Sequence, residues 1–157
     1  MRVKLIAVGR TTDAAISGGI ALYRERIGHY LPFEWVEIPA LKGGAALKPA
    51  QIKEREGAQI LKMLTPKERV VLLDEKGKLF TSSQWARHLE KTLAQGYQGL
   101  TFIIGGSYGF SQAVYDRADE MLSLSPMTFP HQMVRLFFAE QLYRSCTIMK
   151  GESYHHE

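Results

Sequence analysis

Five apolar runs of strand type, each followed by a segment of helical period, recur along the whole chain, and this alternation constrains the fold more than any other feature. Val3 to Val8 is an apolar run closed by Gly9. Ile16, Ile20, Tyr23 and Ile27 then recur at helical spacing before Pro32. Phe33 to Ile38 alternates with period two, which predicts a strand with one wet face. Leu41 to Lys48 is glycine-rich, basic and aperiodic, and reads as a mobile loop. Pro49 suits the first turn of a helix to about Leu64, with Ile52, Ile60, Leu61 and Leu64 inward and Lys53, Arg55 and Lys62 outward.

The second half repeats the scheme. Val70 to Leu73 predicts a buried strand followed by a turn at Asp74 to Gly77. Thr81 to Gln84 has the spacing of a capping box. It opens a helix with Trp85, Leu89 and Leu93 inward, and Gln95-Gly96 ends it. Leu100 to Ile104 is a strand running into Gly105-Gly106-Ser107-Tyr108-Gly109, Ser111 caps a helix to about Asp119, and Met121 to Leu124 is a short strand. A loop from Pro126 to Pro130 leads into a last helix over 132 to 146. The expected class is α/β, a largely parallel sheet with helices on both faces. With 157 residues and 45% hydrophobic content, and with neither repeat nor linker, the chain reads as one domain over 1–157.

Composition narrows the chemistry. A single cysteine, Cys146, excludes an internal disulfide framework and a thiolate metal site. The histidines His29, His88, His131, His155 and His156 lack the spacing of a paired metal motif, so no metal is expected. No run approaches the ~18 apolar residues of a membrane span, and Met1 to Gly9 is too short for a secretory core, so the expected place of work is the cytoplasm, with no membrane partner. Residues 1 to 69 hold 12 Lys/Arg against 7 Asp/Glu, whereas 70 to 157 hold 8 against 9. That basic half suits an anionic polymer such as RNA as well as it suits a plainly solvated surface.

Three places could carry chemistry. Gly105 and Gly106 follow a strand at the end where open α/β sheets bind ligands, and lack Cβ atoms that would keep a flat ligand off the main chain. Their spacing is not that of a dinucleotide fingerprint, and a plain tight turn reads equally well. Pro126-Met127-Thr128-Phe129-Pro130 is either an adenine-holding loop or core. Together with Leu73 and Leu124, these strand ends describe one cleft. The tail Tyr154-His155-His156 is either a frayed end or a stacking and titrating surface for a nucleobase. Arg135 and Arg144 could address phosphates, although Glu140 and Arg144 also have the spacing of a surface ion pair. Met133, Val134, Leu136, Phe137, Phe138, Ala139, Leu142 and Tyr143 make the last helix apolar nearly all round, which predicts burial on more than one side, against a second copy of the chain in preference to burial wholly within its own.

These segments also resemble a known family. Leu5-Ile6-Ala7-Val8-Gly9, Glu37-Ile38-Pro39, Leu73-Asp74, Phe102-Ile103-Ile104-Gly105-Gly106, Met127-Thr128-Phe129-Pro130-His131, Glu140-Gln141-x-Tyr143-Arg144 and Tyr154-His155 are similar to the small, ribosomal-RNA-modifying members of the SPOUT class of S-adenosylmethionine-dependent RNA methyltransferases. The resemblance spans essentially the whole chain. It implies N3-methylation of a pseudouridine in 23S ribosomal RNA, on the assembled ribosome, by a homodimer, with S-adenosylhomocysteine as product. It also implies a trefoil knot in the C-terminal half. Carried over residue by residue, cofactor contacts fall on Leu73, Gly105, Leu124, Ser125, Pro126, Met127, Thr128 and Phe129. His155 is expected to take or relay the N3 proton, Tyr154 to hold the base, and Arg144 or Arg135 to balance negative charge. His156 stands where such proteins usually carry Arg or Lys, and so supplies only a conditional charge as a substrate contact. The rival expectations are a non-catalytic RNA-binding or ribosome-assembly module, and a SPOUT enzyme acting on transfer RNA.

Overall fold

The computed structural model describes residues 1–41 and 46–156. Positions 42–45 of the expected mobile loop lie outside the described residues. Five parallel strands, β1 (Arg2–Val8), β2 (Phe33–Ile38), β3 (Glu68–Leu79), β4 (Gly99–Ile104) and β5 (Glu120–Ser123), form one sheet in the order β2-β1-β4-β3-β5. Between and after them run α1 (Ala14–Gly28), α2 (Pro49–Lys62), α3 (Ser82–Leu93), α4 (Gln112–Arg117) and α5 (His131–Met149).

Strand periodicity sorts the helices onto two faces. Leu5, Val71, Leu73, Leu100 and Phe102 point toward Ile27 of α1, Trp85 and Leu89 of α3, and Phe138 and Leu142 of α5. Ile6, Val8, Val70, Leu72 and Ile103 point the other way, against Ile60 of α2 and Val114 of α4. Every residue of β4 is buried, as expected for a central parallel strand covered on both sides. The expected α/β class, with helices on both faces, is what the structure shows.

Local signals explain most boundaries. Asp13 caps α1 by accepting from the amides of Ala15 and Ile16. Thr81 and Gln84 form the predicted reciprocal box at α3, with the Gln84 amide donating to Thr81 Oγ1 and the Thr81 amide to Gln84 Oε1. Gly96 supplies the positive φ, +81°, after that helix.

Two expectations need correction. Asp74 to Gly77 is not a turn that closes β3; the strand runs on to Leu79, and both Leu73 and Lys78 pair with Leu122. The intervening residues arch over β5, and Gly77 lies so close that a Cβ there would stand 2.6 Å from the Leu122 carbonyl carbon. The last helix, His131–Met149, is longer than expected at both ends and packs on α1 and α3. Leu136 sits where a Cβ on Gly19 of α1 would fall, 2.8 Å from its Cδ1.

Candidate functional site

Parallel strands put all their carboxyl ends at one edge, and the register decides which ends are neighbours. Leu73 pairs with Ile104 on one side and Leu122 on the other. The chain leaves β3 for β4, then returns across β3 to β5, and a crevice opens where the direction reverses. A cavity of about 490 Å³ occupies it, floored by Leu73, Ile104 and Leu122 and walled by 74–76, 105–110, 123–125 and 127–129. Leu73, Gly105, Leu124, Ser125, Met127, Thr128 and Phe129 all line this space; Pro126, between them, is exposed and does not.

Each wall is held by its own chemistry. Gly109 has φ +82°, and its amide donates to the Gly106 carbonyl at 3.1 Å, closing a four-residue turn. A Cβ on Gly105 would lie 3.0 Å from the buried ring of Phe110, so only glycine fits there without displacing that ring. The third wall is pinned by Ser123 Oγ donating to the Ser125 carbonyl and by the Met127 amide donating to Ser125 Oγ, both 3.0 Å. In the first wall Asp74 accepts from the Lys76 amide at 2.8 Å and from the Tyr115 hydroxyl at 2.5 Å. Burial, and then that bond to Asp74, push the Tyr115 phenol up to about 12, so it remains a donor at any working pH. Met127 and Tyr108, on facing walls, are among the few large apolar side chains left exposed.

A second cavity of about 280 Å³ shares Leu122, Ser123, Leu124, Ser125 and Phe129 with the first and reaches Phe80, Trp85, Phe137 and Glu140. Glu140 leads to the tail. Its carboxylate accepts from Arg144, one helical turn on, and from the Tyr154 hydroxyl at 3.1 Å. The Arg144 guanidinium lies over the Tyr154 ring, 4.8 Å from its centroid, and donates to His155 Nδ1 at 3.0 Å. Burial, then hydrogen bonds with Tyr23 and Glu140, raise the Tyr154 phenol and keep it protonated. The tail therefore packs on α5, with Tyr154 edge-on to Tyr143, and is not a frayed end. His156 is exposed beside it.

Arg135 is the correction among the expected substrate contacts. It is 2% exposed, and its guanidinium donates to the Val8 and Gly9 carbonyls at 2.8 and 2.9 Å and to Thr11 Oγ1 at 3.0 Å. Glu37 stands 3.6 Å away. Both terminal nitrogens are engaged at the end of β1, and Nε is buried with no partner, so this arginine holds the fold and does not face a phosphate. Burial pulls its pKa down against the attraction of Glu37. Asp74, Tyr115 and Glu140 were not singled out as ligand-facing groups from sequence. The adjacency of Asp74 to Leu73 was the available signal for the first, whereas Tyr115 and Glu140 needed the fold. Among the described residues no group of three or more His, Cys, Asp or Glu side chains gathers as a metal site.

A parallel sheet whose last strand returns beside β3 thus brings a glycine turn and a Ser-Pro-Met-Thr-Phe loop to one cleft. The family model described as "Predicted SPOUT methyltransferase" matches residues 1–155. Proteins named ribosomal RNA large subunit methyltransferase H from Parabacteroides distasonis and Bacteroides fragilis are 50% and 51% identical over 157 residues, covering all of both chains in each case. A solved structure of a probable methyltransferase from Bordetella pertussis Tohama I shares the fold, with a TM-score of 0.56 at 14% identity over 92% of this chain and 96% of that one. The chain belongs to the ribosomal RNA large subunit methyltransferase H family.

Proposed function

We propose that the chain transfers a methyl group from S-adenosylmethionine to N3 of a pseudouridine in 23S ribosomal RNA of the assembled ribosome, working in the cytoplasm as a homodimer. The observation that carries this reading is the convergence of three strand-end walls on one cleft, which shares its third wall with a second cavity reaching Glu140, the carboxylate that holds Arg144 and Tyr154. The family relatives named for ribosomal RNA support the substrate class. Among the described residues no helix is long and apolar enough to cross a membrane.

The cleft fits the cofactor. Its volume is ordinary for a small-molecule site, where ~300–1,000 Å³ is usual. An apolar floor of Leu73, Ile104 and Leu122 suits a purine, main chain bared at Gly105 and Gly106 can hydrogen-bond its edge, and Asp74 and Glu75 put carboxylates beside a ligand that carries positive charge. When bound, S-adenosylmethionine supplies a methyl group on a sulfonium, an electrophile that needs no further activation. What remains for the protein is to orient the nucleotide and to stabilise the anion left when N3 loses its proton.

The tail has the groups for that task. A guanidinium only donates, so the Arg144 bond makes His155 Nδ1 an acceptor, and in the neutral ring the proton sits on Nε2. Held this way, His155 offers an N–H to an imide oxygen as the anion forms. Taking the N3 proton itself requires release from Arg144. Tyr154 supplies a ring face and Arg144 a permanent cation. The dimer is supported by α5, where Met133 and Phe137 stay half-buried, and by Leu22, exposed on neighbouring α1.

Mass mapping of modified nucleosides in ribosomal and transfer RNA from a deletion strain tests the assignment. The expected result is loss of N3-methylpseudouridine from 23S ribosomal RNA alone. Loss from transfer RNA, or no loss anywhere, would replace this reading with one of its rivals. Sedimentation of the intact chain at micromolar concentration should give a dimer, and Phe137→Glu should shift it toward monomer.

A further inference from the structure

One charged side chain behind the cleft has a buried oxygen with no hydrogen-bond partner. Glu56, on the middle turn of α2, is 9% exposed, and its Oε1 is buried with no hydrogen-bond partner. It lies against the glycine turn. A Cβ on Gly106 would stand 2.8 Å from Oε1 and 3.0 Å from Oε2, so the carboxylate occupies the space that a side chain at Gly106 would need. The next residue, Gly57, seats the far end of the same segment, since a Cβ there would fall 2.3 Å from Ser111 Oγ. Glu56-Gly57 is therefore the seat on which the second wall of the cleft rests.

A buried carboxyl without a partner costs folding stability, and an uncharged side chain of the same shape would remove that cost. Burial raises its carboxyl above the ordinary range, the signature of an anion the folded chain would rather lack. Groups that oppose stability without a local partner are a mark of functional sites. A cation bound in this cleft would balance that charge from across the glycine turn. A methyl donor is a sulfonium cation, whereas the product left after transfer is a neutral thioether of nearly the same shape.

We propose that Glu56 is a positioning and charge-selecting residue of the donor pocket: placed behind Gly106, its carboxylate fixes the height of the glycine turn and favours a cationic sulfonium ligand in the cleft over the neutral thioether product. Glu56 does not touch the ligand; it acts across one layer of main chain. At that range a unit charge in protein surroundings alters the affinity of a cation on the order of tenfold. The consequence is a pocket that loads the donor and releases the spent cofactor. This inference rests on the cleft being the S-adenosylmethionine site.

Calorimetric titration of the intact chain with S-adenosylmethionine and with S-adenosylhomocysteine, for wild type and for Glu56→Gln, separates the possibilities. The expected result is a drop of roughly tenfold in the ratio of donor to product affinity, with product affinity nearly unchanged, and a ligand-free melting temperature equal to or above that of wild type. Equal losses for both ligands, no change in the ratio, or a destabilised ligand-free chain would assign Glu56 a packing role and overturn the proposal. Glu56→Met, neutral and of similar length, stands in if the Gln chain does not fold, and failure of both to fold also counts against it. A wild-type chain that binds neither ligand would defeat the reading of the cleft itself, a result distinct from binding with an unaltered ratio.

Discussion

Replacing Arg135 with Met tests whether this cation belongs to the fold or to the substrate. The side chain is 2% exposed and makes three hydrogen bonds of 2.8 to 3.0 Å, to the Val8 and Gly9 carbonyls and Thr11 Oγ1. Methionine keeps most of the volume and removes the desolvation cost of the guanidinium. It also leaves the buried Val8 carbonyl and the half-buried Gly9 carbonyl without this donor, at ~1–3 kcal/mol each. Glu37 is not orphaned, because it still accepts from the Thr11 amide, Thr11 Oγ1 and the Trp35 indole. The net expectation is a loss of about 3 kcal/mol, below the ceiling of ~5 for breaking a buried ion pair outright. For a domain of this size that lowers Tm by about 6–12 °C. Urea denaturation with an unchanged m-value should report it, and filter binding to a ribosomal RNA fragment across a salt series should keep its slope. A stability change below ~0.5 kcal/mol, with the salt slope reduced by about one, would return Arg135 to phosphate binding.

Three further outcomes follow from other parts of the structure. Gly77→Ala puts a methyl group 2.6 Å from the Leu122 carbonyl carbon, where main chain cannot swing aside, and should cost about 2–3 kcal/mol by overpacking while weakening donor binding in calorimetry. Tyr115→Phe releases Asp74 from its 2.5 Å bond and should cost about 1 kcal/mol in urea denaturation, with weaker binding of S-adenosylmethionine; unchanged binding would remove Asp74 from the site. Glu56→Gln should be pH-dependent in a definite sense. Because the folded-state pKa is raised, the unfolded chain ionises first, and wild type loses stability as pH climbs from the ordinary carboxylate range to the folded value. The Gln variant escapes this, so its melting temperature should exceed that of wild type by more at pH 7 than at pH 4.

Reading the sequence forward succeeded where local chemistry decides structure. The capping box at Thr81 and Gln84, the proline start of α2 and the glycine end of α3 are short-range devices, and each stands where its residues say. It went astray where a distant element overrides a local preference. Asp74 to Gly77 has turn chemistry, but β5 captures it as an arch in which Leu73 and Lys78 share one partner. The knot implied by the family resemblance has no residue signature at all, because threading is a property of the path and not of any spacing. Charged side chains are usually exposed or ligand-facing, an expectation that gives Arg135 to the substrate and passes over Glu56. A signal existed for both. Glu56 lies midway between Ile52 and Ile60 on the inward stripe of α2, and Arg135 precedes Phe138 and Leu142 on that of α5. Of the cofactor residues inferred from resemblance, all but Pro126 converge on the cleft, because parallel register alone brings Leu73, Ile104 and Leu122 side by side.

The account stands or falls on where the methyl donor binds. A crystal structure of the intact chain grown with S-adenosylmethionine should show it seated between Leu73, Gly105 and the 124–129 loop, with Asp74 and the Glu56-backed glycine turn on either side. Density for the donor at any other place, or a calorimetric titration of the intact chain that yields no stoichiometric heat, would contradict it.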